Sequence, residues 1–139
     1  MNTIKGTTNR VELIGWLGMD PEQRFLPSGV AVCNFRVATK RYAGRMESGE
    51  RIVETDWLPV EVWERQAELC GQFLHKGSRV RVVGHLETQS WEDKKTGERR
   101  FKLLVRAEDV LFLDAKPEAQ QAAEAAEDLS QDSVEDLPF

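Results

Sequence analysis

The sequence predicts an all-β domain followed by a disordered acidic tail. Three observations carry that expectation. Stretches of alternating or β-rich character recur between Asn9 and Leu113, punctuated by turn residues. The helical period occurs once, over a short segment in the middle. Composition then changes abruptly after Lys116-Pro117 to Ala, Gln, Glu, Asp and Ser.

The elements follow in order. Val11, Leu13 and Gly15 alternate with Glu12, Ile14 and Trp16, giving a first strand that is apolar on much of both faces. Asp20-Pro21 and Pro27-Ser28-Gly29 are turn signals, and Val32 to Ala38 then reads as a second strand. Asp56 to Glu64 is a third, with Trp57, Val60 and Val62 as bulky residues. Pro59 cannot donate a ladder hydrogen bond, so it belongs at an edge or a bulge. From Arg65 to Leu74 the period changes: Ala67, Leu69, Cys70, Phe73 and Leu74 fall at helical spacing, and Lys76-Gly77 ends the segment. Arg79 to Trp91 and Arg99 to Leu113 are two further strands, joined by the turn Asp93-Lys94-Lys95-Thr96-Gly97. Three strands, a short helix and two strands is the element order of an OB-fold, a five-stranded, partly open barrel with its helix between strands three and four.

Charge divides the chain in the same place. The formal net charge is −5 over 139 residues, but residues 115–139 hold seven acidic side chains against Lys116 alone. Residues 1–114 therefore hold 18 basic and 17 acidic side chains, close to neutral, and whole-chain acidity says little about what the barrel binds. The expected organisation is a binding and oligomerisation domain over 1–114, an acidic disordered linker over 115–134, and a tip over 135–139. That tip is Glu135-Asp136-Leu137-Pro138-Phe139, in which an acidic pair precedes an apolar end. A partner pocket can bury the Phe139 ring while basic side chains hold the carboxylates.

Cys33 and Cys70 lack metal or redox spacing and read as two buried, reduced thiols. No apolar run approaches the roughly 18 residues of a membrane span, and the polar N-terminus does not read as a signal peptide, so the expectation is a cytoplasmic protein without a membrane partner. Phosphate-binding GxxxxGK[ST], HExxH and deaminase zinc motifs are missing, and His75 and His85 are isolated. No catalytic residue, cofactor or metal is expected.

The aromatic and basic residues do point to a partner. Trp16, Tyr42, Trp57, Trp63 and Trp91 fall in or beside strands and long loops. Trp57 and Trp63 are six residues apart, nominally on one face of one strand. Arg36, Lys40, Arg41, Arg45 and Arg51 cluster before the third strand, and Lys94, Lys95, Arg99, Arg100, Lys102 and Arg106 cluster in the last hairpin. Core packing and a solvated charged face explain each set taken singly. Interleaved, they suit a single strand of nucleic acid, whose phosphates follow cations while unpaired bases stack on rings. An RNA-binding barrel and an oligomeric protein-interaction scaffold are the alternative readings.

The chain resembles the bacterial single-stranded DNA-binding proteins. The resemblance rests on Asn9-Arg10-Val11-Glu12-Leu13-Ile14-Gly15, Leu17-Gly18-Met19-Asp20-Pro21-Glu22, Ala38-Thr39 and Thr55-Asp56-Trp57. It continues through Ala67-Glu68, Phe73-Leu74-His75-Lys76-Gly77-Ser78 and Gly84-His85-Leu86 to the Trp91 strand and the acidic Leu-Pro-Phe tip. It implies sequence-tolerant binding of single-stranded DNA by a homotetramer in the nucleoid, and a tip that recruits replication, recombination and repair proteins. It implies base stacking on Trp57, Trp63 and Trp91, and strand contacts from Arg65 and Lys76. Arg36, Arg41 and Arg45 join them as basic candidates. The family's remaining stacking aromatic falls at Ala43, so Tyr42 is the candidate to replace it from a flexible loop, where the direction reversal of a one-residue strand shift does not apply. Leu58-Pro59 stands where many members carry His near a subunit contact.

Overall fold

The computed structural model describes residues 4–114, so the expected linker and tip over 115–139 lie outside the described residues. Six strands and one helix follow in order: β1 (Val11–Leu17), β2 (Glu22–Phe25), β3 (Ala31–Arg45), β4 (Arg51–Trp63), α1 (Glu64–Phe73), β5 (Arg79–Glu92) and β6 (Arg99–Phe112). The pairing order β1-β5-β6-β4-β3 returns to β1, closing the expected five-stranded barrel with α1 between its third and fourth strands.

The additional strand is β2. Its four residues are all exposed and carry no apolar alternation, which is why periodicity does not reveal it. It pairs with β3 from Glu22↔Asn34 to Phe25↔Ala31, and β1 pairs with the same strand at Trp16↔Ala38 and Leu17↔Val37. β1 and β2 are thus successive segments along one side of β3, separated by Gly18 to Pro21. The hairpin after β2 closes with Leu26 donating its N–H to the Val30 carbonyl (2.9 Å), and Gly29 takes φ 92° at the turn.

β3 and β4 are longer than expected, at 15 and 13 residues. Residues 39–45 and 51–55, which sequence pattern leaves as a long loop, form a protruding hairpin paired as far as Arg45↔Arg51. Its two faces are both largely exposed, so no buried side marks its strand character. Pro59 pairs in register with Arg36 and stands one residue before the short parallel ladder of β4 with β6, at Val60↔Val105 and Glu61↔Arg106. Its missing N–H therefore falls at the end of that seam, as an edge position requires.

Alternate residues of the barrel strands fill the interior. Phe35 and Val37 from β3, Val60 and Val62 from β4, Val80 and Val82 from β5, and Val105, Val110 and Phe112 from β6 form one buried cluster. α1 contributes Ala67, Leu69 and Cys70 to it and packs on β2, β3 and β4. The helix starts one residue earlier than expected, with Glu64 at φ 63°, a left-handed turn that reverses the chain directly out of β4. Cys33 and Cys70 are buried and unbridged. Burial pushes the Cys33 thiol up to about 11 and raises Cys70 well above its ordinary value, so both stay protonated and inert at neutral pH. Among the described residues, no helix is long and apolar enough to cross a membrane.

Candidate nucleic-acid interface

Strand register decides which side chains share the outer face. Partners directly opposite in a ladder point the same way, and residues two apart on a strand repeat that direction. On β4 the buried Val60 and Val62 face inward, so Trp57, Pro59, Glu61 and Trp63 face outward. Their partners on β3 place Arg36, Ala38, Lys40 and Tyr42 on the same face. Glu61↔Arg106 transfers that direction to β6, and His85↔Arg106, Gln89↔Lys102 and Trp91↔Arg100 carry it to β5. Trp57, Trp63, Trp91 and Tyr42 therefore lie on one continuous outer surface.

Their exposures differ in a useful way. Trp57 is 51% exposed, Tyr42 64% and Trp91 47%, so three aromatic rings present accessible faces with no role in the buried cluster. Trp63 is half-buried and held on two sides. Its indole N–H donates to a Glu61 carboxylate oxygen at 2.8 Å, and the Arg106 guanidinium lies 4.3 Å from its ring centroid. Glu61, only 4% exposed, also accepts a bond from the Gln89 amide at 3.4 Å. Trp63 is thus a fixed ring with one face covered.

Trp57 owes its position to Gly18. A Cβ at Gly18 would overlap the Trp57 indole, so the bare backbone there leaves room for the ring. The same segment brings Lys76 close: Asp20 accepts the Lys76 backbone N–H at 2.7 Å, and Gly77 donates to the Leu17 carbonyl at 2.9 Å. Arg36 is exposed on the Trp57 face. Among the described residues, Arg36, Lys40, Lys76 and Lys102 make no ion pair, which leaves their charges for an outside anion.

Other basic residues are placed differently. Arg41 points to the opposite face of the hairpin, where it binds Asp56 at 2.8 Å and Glu54 at 3.1 Å. These partners hold its guanidinium firmly charged, with the Asp56 hydrogen bond as the main cause. Arg45 sits at the hairpin tip and donates to the Gly49 carbonyl at 3.1 Å. Arg65, exposed in the first turn of α1, pairs with Glu68 at 3.3 Å. Tyr42 is held in a strand rather than a flexible loop, and register still puts it on the Trp57 face. The Arg51 guanidinium lies 4.6 Å from its ring centroid, a neighbour that the sequence shows only as a member of the basic cluster before the third strand. Arg106, equally unselected, packs on Trp63; its place in the last basic cluster was the available signal.

A carboxylate network underlies this face. His85 lies between Glu108, 2.9 Å from Nδ1, and Glu87, 3.2 Å from Nε2, and Glu87 also approaches Arg106 at 3.7 Å. The hydrogen bond to Glu108 is the main cause raising the His85 pKa above its ordinary 6.5, followed among the raising causes by the bond to Glu87. A raised folded pKa adds stability that is complete below the unfolded value and is lost as pH rises through the folded one. His85→Gln is therefore expected to lower the urea midpoint at about pH 5.5 and change it far less at about pH 9. Equal losses at both pH values would show that the imidazolium bonds contribute nothing.

Comparison with known proteins places this geometry. Residues 8–113 match the single-strand binding protein family. The chain is 37% identical over 118 residues to Single-stranded DNA-binding protein 1 of Chlorobaculum tepidum, covering 85% of this chain and 72% of that protein. It is 32% identical over 116 residues to Single-stranded DNA-binding protein 1 of Synechocystis sp., covering 84% and 92%. Among solved structures it is similar to the Plasmodium falciparum SSB complex with ssDNA, with a TM-score of 0.70 and 28% identity over 82% of this chain and all (100%) of that one.

Proposed function

This chain belongs to the single-strand binding protein family, and we propose that it binds and protects single-stranded DNA without catalysis, in replication, recombination and repair. One observation carries the reading: Trp57, Trp91 and Tyr42 expose their rings on a single barrel face beside cations that make no ion pair among the described residues. Each base stacked on such a ring contributes about 1–3 kcal/mol, and every base offers a π-face, so binding tolerates sequence. Duplex DNA hides those faces, and the site discriminates by strandedness.

In this reading Trp57, Trp91, Tyr42 and the open face of Trp63 stack bases, while Arg36, Arg45, Arg65 and Lys76 follow the phosphates. Arg41, doubly ion-paired on the other face, fixes the hairpin that carries Tyr42. The protein acts in the cytoplasm as a homotetramer. Residues 115–134 tether the tip Glu135–Phe139, which captures replication, recombination and repair proteins.

The test is a titration with oligo(dT) followed by intrinsic Trp fluorescence, repeated with duplex DNA, matched RNA and rising salt. Strong quenching by the DNA single strand, weakening as salt rises, is expected. Equal binding of duplex would overturn the reading. Removal of Phe139 should leave this titration unchanged and abolish capture of partner proteins.

A further inference from the structure

One exposed indole stands outside the surface described so far. Trp16 is 45% exposed, lies near the end of β1 and takes no part in the buried cluster. Its neighbours in sequence, Gly15 and Leu17, are buried, so it points outward. Register ties it to the stacking face. Arg79 on β5 is opposite Trp16, Trp16 is opposite Ala38 on β3, and Ala38 is opposite Trp57 on β4. These four residues form one cross-strand row with side chains on the same side. Strands lie about 4.8 Å apart, so the backbones of Trp16 and Trp57 are separated by about 10 Å. The methyl group of Ala38, 8% exposed, is the only side chain between them in the row.

The row also contains a cation. The Arg79 guanidinium lies 5.6 Å from the Trp16 ring centroid and makes no ion pair among the described residues. An exposed ring with a cation at its side is the same combination found around Trp57. We propose that Trp16 and Arg79 form a further stacking platform, which carries the bound single strand from β4 across Ala38 onto β1. Trp16 stacks a base and Arg79 holds an adjoining phosphate. This inference rests on the single-strand reading above and adds a segment to its path.

The test uses the full-length chain carrying Trp57→Phe, Trp63→Phe and Trp91→Phe, in which the phenyl rings keep stacking and Trp16 is the only indole. Labelled oligo(dT) reports binding by anisotropy while Trp16 reports its own environment. Quenching of Trp16 in step with the anisotropy is expected. In the otherwise native chain, Trp16→Ala should weaken oligo(dT) binding about ten-fold, Trp16→Phe should weaken it less, and Arg79→Gln should flatten the slope of log affinity against log salt by about 0.7. Saturation of the anisotropy with Trp16 fluorescence unchanged would overturn the platform and leave the proposed function standing, as would native affinity in Trp16→Ala. A native chain that fails to bind oligo(dT) overturns both.

Discussion

Replacing Trp57 and Trp91 together with alanine is expected to weaken oligo(dT) binding by about a hundred-fold or more while leaving the barrel folded. Each ring contributes about 1–3 kcal/mol if a base stacks on it, and about 1.4 kcal/mol is a factor of ten. The two rings stand on different strands of one face, so their losses should add. Neither side chain belongs to the buried cluster, and truncating a half-exposed ring opens no core cavity. The melting temperature should therefore move little. Affinity must be compared at one fixed salt concentration, because the phosphate contacts remain and their strength depends on it. An affinity within about three-fold of the native protein would show that the two indoles do not carry the strand. A large loss of melting temperature would instead assign them to packing.

The residues that carry this prediction were legible in the sequence for a simple reason. Strands that fill a core must alternate, and Val32–Ala38, Asp56–Glu64 and Arg79–Trp91 announce themselves by their buried side. A helix between the third and fourth barrel strands shows by its change of period. Where a strand buries nothing, the signal vanishes: β2 is exposed throughout, and the outer parts of β3 and β4 are largely exposed on both faces. Side-chain direction in such segments is set by pairing partners, and the partner of a residue is not written beside it. That is why Tyr42 reads as a loop residue yet faces the same way as Trp57. It is also why Arg41, one position earlier, turns to Glu54 and Asp56 on the opposite side. Trp16 was visible as an aromatic, but only the rung Trp16↔Ala38↔Trp57 gives it neighbours.

Phe112→Ala is expected to cost about 3–5 kcal/mol of stability, a large share of the 5–15 kcal/mol typical of a domain. Phe112 closes β6 and is among the largest fully buried side chains. Its ring meets that of Phe73 from α1, with centroids 6.3 Å apart and planes at 52°. Gln66, Leu69, Cys70 and Val110 line the same seam. Gln66 joins helix to strand by polar bonds as well, donating to the Glu108 carbonyl at 3.3 Å and accepting the Val110 N–H at 3.1 Å. Removing the Phe112 ring leaves a void that these neighbours, fixed by backbone bonds, fill poorly. The melting temperature should fall by about 10–25 °C, measured by circular dichroism. Because Phe112 points inward, oligo(dT) affinity well below the melting range should stay within a few-fold of native. Saturating oligo(dT) should then recover part of the lost stability, about 2.7 kcal/mol at a hundred times the dissociation constant, since the ligand binds the folded barrel alone. A fall in stability below about 1 kcal/mol would mean that the seam between α1 and β6 is not part of the cooperative core. Recovery by duplex DNA as effective as by the single strand would place the binding energy in phosphate contacts and take it away from the rings.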